Sequence, residues 1–336
     1  MKNRVLLFVI ILFLVWGCKP HRYFSIDIYE PGKVTIPAEF DSIVLTHNIF
    51  PAAGKDRGTP YRIMDEVIYD TTYHDTTLAK AAIYNLADML NLAGKYRVQV
   101  WDSLQNPLPK DAGDFTQHHV NRIRNLCREY NADACIVLNH LEEKVNFDMF
   151  YTTFGVSGEL MTIVNTDWLF IDPHRSVLLD SHTMKDTLFY YSDDPFQGEG
   201  YRQFDLSNEL LLETAIESAV KYGSRISPHL VESPRMVFKS GNRDIKRGYK
   251  QATEGNWKNA AAFWRDALTD PDPKTKARAS FNLALASEME GMLEPALEWA
   301  QKSNAFFPDK VNQTYVDILR ERIKQQEKLN RQVGTE

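Results

Sequence analysis

Asn131-Ala132-Asp133-Ala134-Cys135-Ile136-Val137-Leu138 is the stretch on which the reading of the first half turns. Its last five residues form an unbroken apolar run, the pattern of a central strand covered on both faces. Just upstream, Val120, Ile123, Leu126, Cys127 and Tyr130 recur at helical spacing, so a helix feeds that strand. Further back, Tyr96 to Trp101 alternates as a half-buried strand. Before it, Leu78, Ala82, Leu86, Met89, Leu90 and Ala93 mark one face of a helix over 77–92 that Gly94 stops. Asp41 to Thr46 adds a short apolar strand, and 69–77 is read as a polar loop. Downstream, 160–170 and 177–189 read as strands joined by the turn-like Asp172-Pro173-His174-Arg175, and 206–225 as a last helix. This alternation implies an α/β domain, a mixed sheet with helices packed on it.

Beyond a junction at Pro228 to Gly241 everything reads helical. Gly255-Asn256-Trp257-Lys258-Asn259-Ala260, then Trp264, Ala267-Leu268 and Pro271, resembles a tetratricopeptide (TPR) repeat. A second copy runs from Leu283-Ala284 through Gly291, Pro295-Ala296-Leu297, Trp299 and Ser303 to Pro308. Glycine suits the turn between paired helices and the alanines allow their close approach, while 315–332 reads as a capping helix. The expected fold is therefore α/β followed by an all-α, TPR-like helical-hairpin domain. Two hairpins and a cap bury little surface, so the array is expected to lean on the first domain.

The N-terminus carries an address. Lys2 and Arg4 precede an apolar run from Val5 to Trp16 that is too short for a comfortable membrane span and closes on Gly17-Cys18. This resembles the lipobox of bacterial lipoproteins. It implies cleavage after Gly17, diacylglycerol on the Cys18 thiol and an acyl chain on its new amino group, with no other cofactor. Lys19 after the cysteine resembles the default for outer-membrane sorting, and the absence of an acidic cluster after it favours the periplasmic face. The resulting divisions are a signal peptide over 1–17, a tether over 18–33, the α/β domain over 34–234 and the repeats with their cap over 241–332. Removing Lys2 and Arg4 takes the formal charge from −6 to −8, which offers no footprint for nucleic acid. Cys127 and Cys135 remain, read as two buried free thiols, with a disulfide as the alternative.

Short pieces of the α/β half carry a second resemblance. Ile43-Val44-Leu45, Arg97-Val98-Gln99-Val100, Asn131-Ala132-Asp133-Ala134 and the hairpin from Phe170-Ile171-Asp172 to Ser176-Val177-Leu178-Leu179 are similar to envelope lipoproteins related to the curli-secretion lipoprotein and the penicillin-binding-protein activators. Val34 to Phe40, Tyr222 to Pro228 and Phe281 to Ala286 resemble a family of uncharacterised Bacteroidetes-type lipoproteins. Both imply architecture and leave chemistry open.

No catalytic constellation assembles from the sequence. Glu142 and Glu143 would point to opposite faces of a strand, read as a solvated strand end, and cannot share a proton. His118 and His119 splay around a helix start, and Asp70, His74 and Asp75 lack the spacing of a calcium loop. No metal site is expected. Tyr151, Phe154, Tyr190, Tyr191, Phe196 and Tyr201 are candidates for stacking on sugar rings, against core packing as the plainer reading. The leading functional expectation is a lipid-anchored adaptor or scaffold. It would dock an envelope protein through exposed first-helix positions of the repeats, Tyr249, Thr253, Phe281, Leu285 and Glu288. Glycan handling is the alternative and an unrecognised enzyme the third choice.

Overall fold

The computed structural model describes residues 20–333, except 38, 51–58, 64–65, 70–74, 93, 103, 105–107, 110–115, 154 and 193–200. Two compact units divide the chain, one over Pro31–His229 and the other joining the residues up to Glu30 with Leu230–Arg331.

The first unit is the expected mixed α/β layer. Strand β2 (Ser42–His47) lies parallel to β5 (Arg97–Val100) on one side and β6 (Ala134–Thr152) on the other. The far half of β6 pairs with β3 (Pro60–Ile63), which carries β4 (Glu66–Tyr69) antiparallel beside it. On the opposite flank of β6, β7 (Gly155–Asp172) and β8 (Val177–Ser192) complete an antiparallel meander. Helices α1 (Asp75–Leu92) and α3 (Tyr201–Ile226) share one core with Ile43, Leu45, Ile136 and Leu138. Helix α2 (Gln117–Tyr130) lies against the other face, where Val44, Cys135 and Val137 meet Ile123, Leu126 and Cys127. The apolar run 134–138 is thus covered on both sides. Cys127 and Cys135 are buried and unbridged, and burial pushes the Cys135 thiol well up.

The Asn131-Ala132-Asp133 motif has a local cause. Asn131 ends α2 in a left-handed conformation (φ 48°), and the Asp133 carboxylate then accepts the backbone N–H groups of Asp41 and Ser42 and the Ser42 hydroxyl. One residue stops the helix; another staples the start of β2. The β7–β8 turn is fixed similarly, with Asp172 accepting from the His174 and Arg175 amides and Arg124 donating to the Pro173 carbonyl.

Several boundaries differ from the expectation. Strand β6 runs for 19 residues, so Glu142 and Glu143 sit in mid-strand and not at a solvated end. They do face opposite ways. Glu142 is exposed, and Glu143 is buried and accepts from the Thr59 hydroxyl. The tether reading of 18–33 is corrected for most of its length, because His21–Glu30 forms β1. The junction is corrected as well, since His229–Phe238 forms β9, paired with β1 in a two-stranded sheet. Ile26 and Ile28 alternate inward along β1, a period that polar neighbours disguise in the sequence.

In the second unit, α4 (Arg243–Thr253), α5 (Trp257–Ala267), α6 (Pro273–Met289) and α7 (Leu293–Phe306) pack in succession, and α8 (Lys310–Val333) follows. The inter-helix turns fall where expected, with Gly255 at φ +78° and Gly291 at φ +75°. Gly248 of α4 lies under the Trp264 indole, and an added Cβ there would come within 2.3 Å of Nε1. Ala260 and Trp264 are fully buried, and the Ser303 hydroxyl donates to the Ala277 carbonyl. These are helical hairpins, closely packed.

Candidate functional site

The inner face of the helical hairpins is not free. Phe281 and Leu285 are buried in α6, and so is Glu288, which corrects their reading as exposed recognition positions. The physical reason is that β9 and α8 occupy that face. Phe281 meets Phe238 edge-on at 5.1 Å between ring centroids and Tyr315 at 4.5 Å. The Asn282 side chain accepts from the Phe238 amide and donates to its carbonyl, both at 2.8 Å, so it acts as a substitute strand partner. Glu288 is enclosed by three donors: Arg235 of β9 at 2.9 Å, Arg322 of α8, and the Tyr315 hydroxyl at 2.7 Å. A buried carboxylate held in this way is structural machinery. Of the five proposed residues, Tyr249 is half-buried against Phe24 of β1 and Thr253 alone is exposed.

The sheet presents the opposite situation. Strand pairing aligns Phe150 with Ser157, Glu159 with Tyr191, and Asn146 with Met161 and Phe189, so all of these share one face of the β6–β7–β8 meander. Nearer the parallel strands α2 covers that face. Farther out, Phe150 is 42%, Phe189 51% and Tyr191 62% exposed. Phe189 and Tyr191 lie side by side with ring planes only 12° apart. Ser157 and Glu159 of β7 lie between Phe150 and this pair in the register, Met161 lies beside Phe189, and Arg62 with Asp148 and Lys144 with Glu142 form ion pairs on the same face. Large apolar side chains exposed on one sheet face make that face a candidate interaction surface.

The other face of the meander is tied to α3. Thr162 and Thr166 meet Thr214 and Ser218 hydroxyl to hydroxyl, and the Lys221–Asp186 and Arg225–Asp180 ion pairs hold β8. Those inward charges guard a strand that, among the described residues, pairs only with β7 and so lies at the sheet edge. The sugar-stacking candidates separate accordingly. Tyr191 is on the open face, whereas Tyr190 and Tyr151 follow the alternate, α3-facing register; Phe154 and Phe196 lie outside the described residues, and Tyr201 opens α3. Phe150 and Phe189, missed in the sequence, lie on the same open face. The signal for Phe150 was the alternation of Leu141, Val145, Phe147 and Met149, which takes the α3-facing register and leaves Phe150 on the opposite one. It says nothing of Phe189 on β8.

A polar cluster sits where β2 and β5 end. His47 is 1% exposed, and its Nδ1 accepts from the Ile49 amide. Burial, and secondarily Lys80, lowers its pKa to about 4. Asp102 binds Lys80 and the Tyr84 hydroxyl, while Asn48 binds Asn139 and Leu108. At the start of α2, His119 accepts from the Thr116 backbone as a capping residue. Among the described residues no group of three or more His, Cys, Asp or Glu side chains is placed to hold a metal ion. Gly17 and Cys18, Asp70 and His74 lie outside the described residues.

Solved structures with similarity include a minor lipoprotein from Acinetobacter baumannii, at 10% identity and TM-score 0.29, covering 56% of this chain and 92% of that one. A lipoprotein from Neisseria meningitidis is 13% identical with TM-score 0.21, covering 54% and 96%. The PelC dodecamer from Paraburkholderia phytofirmans is 12% identical with TM-score 0.25, covering 63% and 99%. No curated protein matches the sequence. Residues 246–325 match a domain of unknown function, DUF6340, and residues 40–238 match another, DUF8603. The second match spans more than half of the sequence, and the chain belongs to the DUF8603 family.

Proposed function

We propose that this chain is a lipid-anchored envelope protein, facing the periplasm from the outer membrane, that acts as a non-catalytic binding or scaffolding module. The anchor rests on the Gly17-Cys18 signal. The binding role rests on one observation, the exposed Phe150–Phe189–Tyr191 patch on the outer sheet face. The TPR-like hairpins are a packed platform in this reading, and the partner is a protein docking an apolar surface on the sheet. The test is in-cell crosslinking of the parent against a variant carrying Phe150→Ser, Phe189→Ser and Tyr191→Ser at matched abundance. Loss of a discrete adduct with an unchanged melt supports the reading; an identical adduct pattern overturns it.

The exposed Phe189 and Tyr191 rings, parallel to within 12° with centroids 6.5 Å apart, favour one second reading, an aromatic face on which a sugar ring stacks. Calorimetry with envelope polysaccharide fragments separates the two, because glycan binding abolished by Tyr191→Ala would place a saccharide on the patch.

A further inference from the structure

The strand β1 leaves the anchor almost no slack. The Pro20 carbonyl accepts from the Lys239 amide at 3.0 Å and the Ser240 hydroxyl at 3.3 Å, so the chain is pinned two residues after Cys18. Two peptide steps span at most about 7 Å. Whatever surface surrounds Pro20 is therefore held close to any lipid on that cysteine.

That surface has the composition of a membrane contact. Pro20 and His21 line a cleft of about 210 Å³ together with Phe238, Lys274, Arg278 and Phe307. Beside it, Phe306 is 41%, Phe307 37% and Val311 44% exposed. The Lys274 and Lys276 ammonium groups lie over the Phe307 and Phe306 rings at 5.4 and 5.9 Å. Lys310 is exposed on the same turn. The neighbouring carboxylates are committed to helix ends: Asp272 accepts the amides of Lys274 and Thr275, and Asp309 accepts that of Asn312. Their charge compensates helix N-termini, leaving the cationic groups as the outward face.

We propose that this corner, the α7–α8 turn with the start of α6, rests in the headgroup layer of a bilayer. The aromatic side chains dip toward the acyl boundary and Lys274, Lys276 and Lys310 meet lipid phosphates. The proposal rests on the lipid-anchor reading and adds to it a fixed orientation. Cationic groups beside exposed rings suit an anionic lipid surface, each contributing a modest attraction that the anchor makes effective.

The test uses the full-length lipidated protein in vesicles of phosphatidylethanolamine and phosphatidylglycerol. An environment-sensitive fluorophore is attached at Phe307→Cys or, as a control in the same unit, at Thr253→Cys. Nitroxide lipids are expected to quench the label at 307 several-fold more than that at 253. Equal or absent quenching at 307, in protein that carries acyl label and floats with the vesicles, overturns the orientation and leaves the anchor standing. Absence of metabolic acyl label on the parent overturns the anchor, and the proposal with it. A Phe306→Ser/Val311→Ser variant carrying the label at 307 should lose most of the quenching while staying vesicle-bound; unchanged quenching also counts against the proposal.

Discussion

The inner face of the helical hairpins and the outer face of the β6–β7–β8 meander invert what periodicity suggests. The helical face, where repeat proteins expose their recognition residues, is filled by β9 and α8, down to an amide side chain bonding to a strand edge. The sheet face, which a strand-and-helix reading would cover, carries three exposed aromatic residues. Patterning tells which residues of one element go together. It does not tell which other element arrives to cover them.

The contrast breaks most visibly at Glu288. Glu288→Ala strands two guanidinium groups and a tyrosine hydroxyl in the interior, and should cost about 3–5 kcal/mol in denaturant unfolding. A loss below about 1 kcal/mol, the range of surface pairs, would mean that the inner face is wet.

His47 offers a chemical handle on the α/β unit. Its folded pKa of about 4 lies below the ordinary 6.5, so the unfolded chain binds the extra proton between those values. Stability attributable to His47 is then full above pH 6.5 and falls as pH drops toward 4, by on the order of 3 kcal/mol. The check is a pair of melts across that window. His47→Gln should flatten this part of the profile, and parallel profiles would contradict the buried, neutral imidazole.

Ala260→Phe sharpens the comparison within the hairpins. Overpacking at a fully buried site between α5 and its neighbours should cost about 1–3 kcal/mol. A melt within error of the parent would remove the close-packed helix pair. The smallest effect belongs to the open sheet face, where Phe189→Ser or Tyr191→Ser should change stability by no more than about 0.5 kcal/mol. A loss several times larger would show that the patch is covered by this chain itself.

Much of this was legible. The run Ala134 to Leu138 announces a two-sided strand, Gly255 and Gly291 announce helix turns, and Asn131-Ala132-Asp133 announces a helix stop. Strand β9 was hidden because Pro228 just before it, Pro234 within it and alternating polar residues in 229–238 resemble a linker. The inner-face error was avoidable. Phe281-Asn282-Leu283-Ala284-Leu285-Ala286 carries apolar residues around the whole helix with Asn282 as the one polar member, which marks a helix buried on every side. An aligned repeat position outweighed that signal. Long-range pairs such as Arg235 with Glu288 have no local signature at all.

The central claim is that recognition uses the sheet face and not the helical groove. A photocrosslinking residue placed in turn at Phe189, Tyr191, Tyr249 and Thr253 in the full-length protein, in cells, tests it most directly. The account predicts a discrete adduct from positions 189 and 191, and none from 249 or 253. The same adduct from 249 and 253, with 189 and 191 silent, would contradict it and return recognition to the helices.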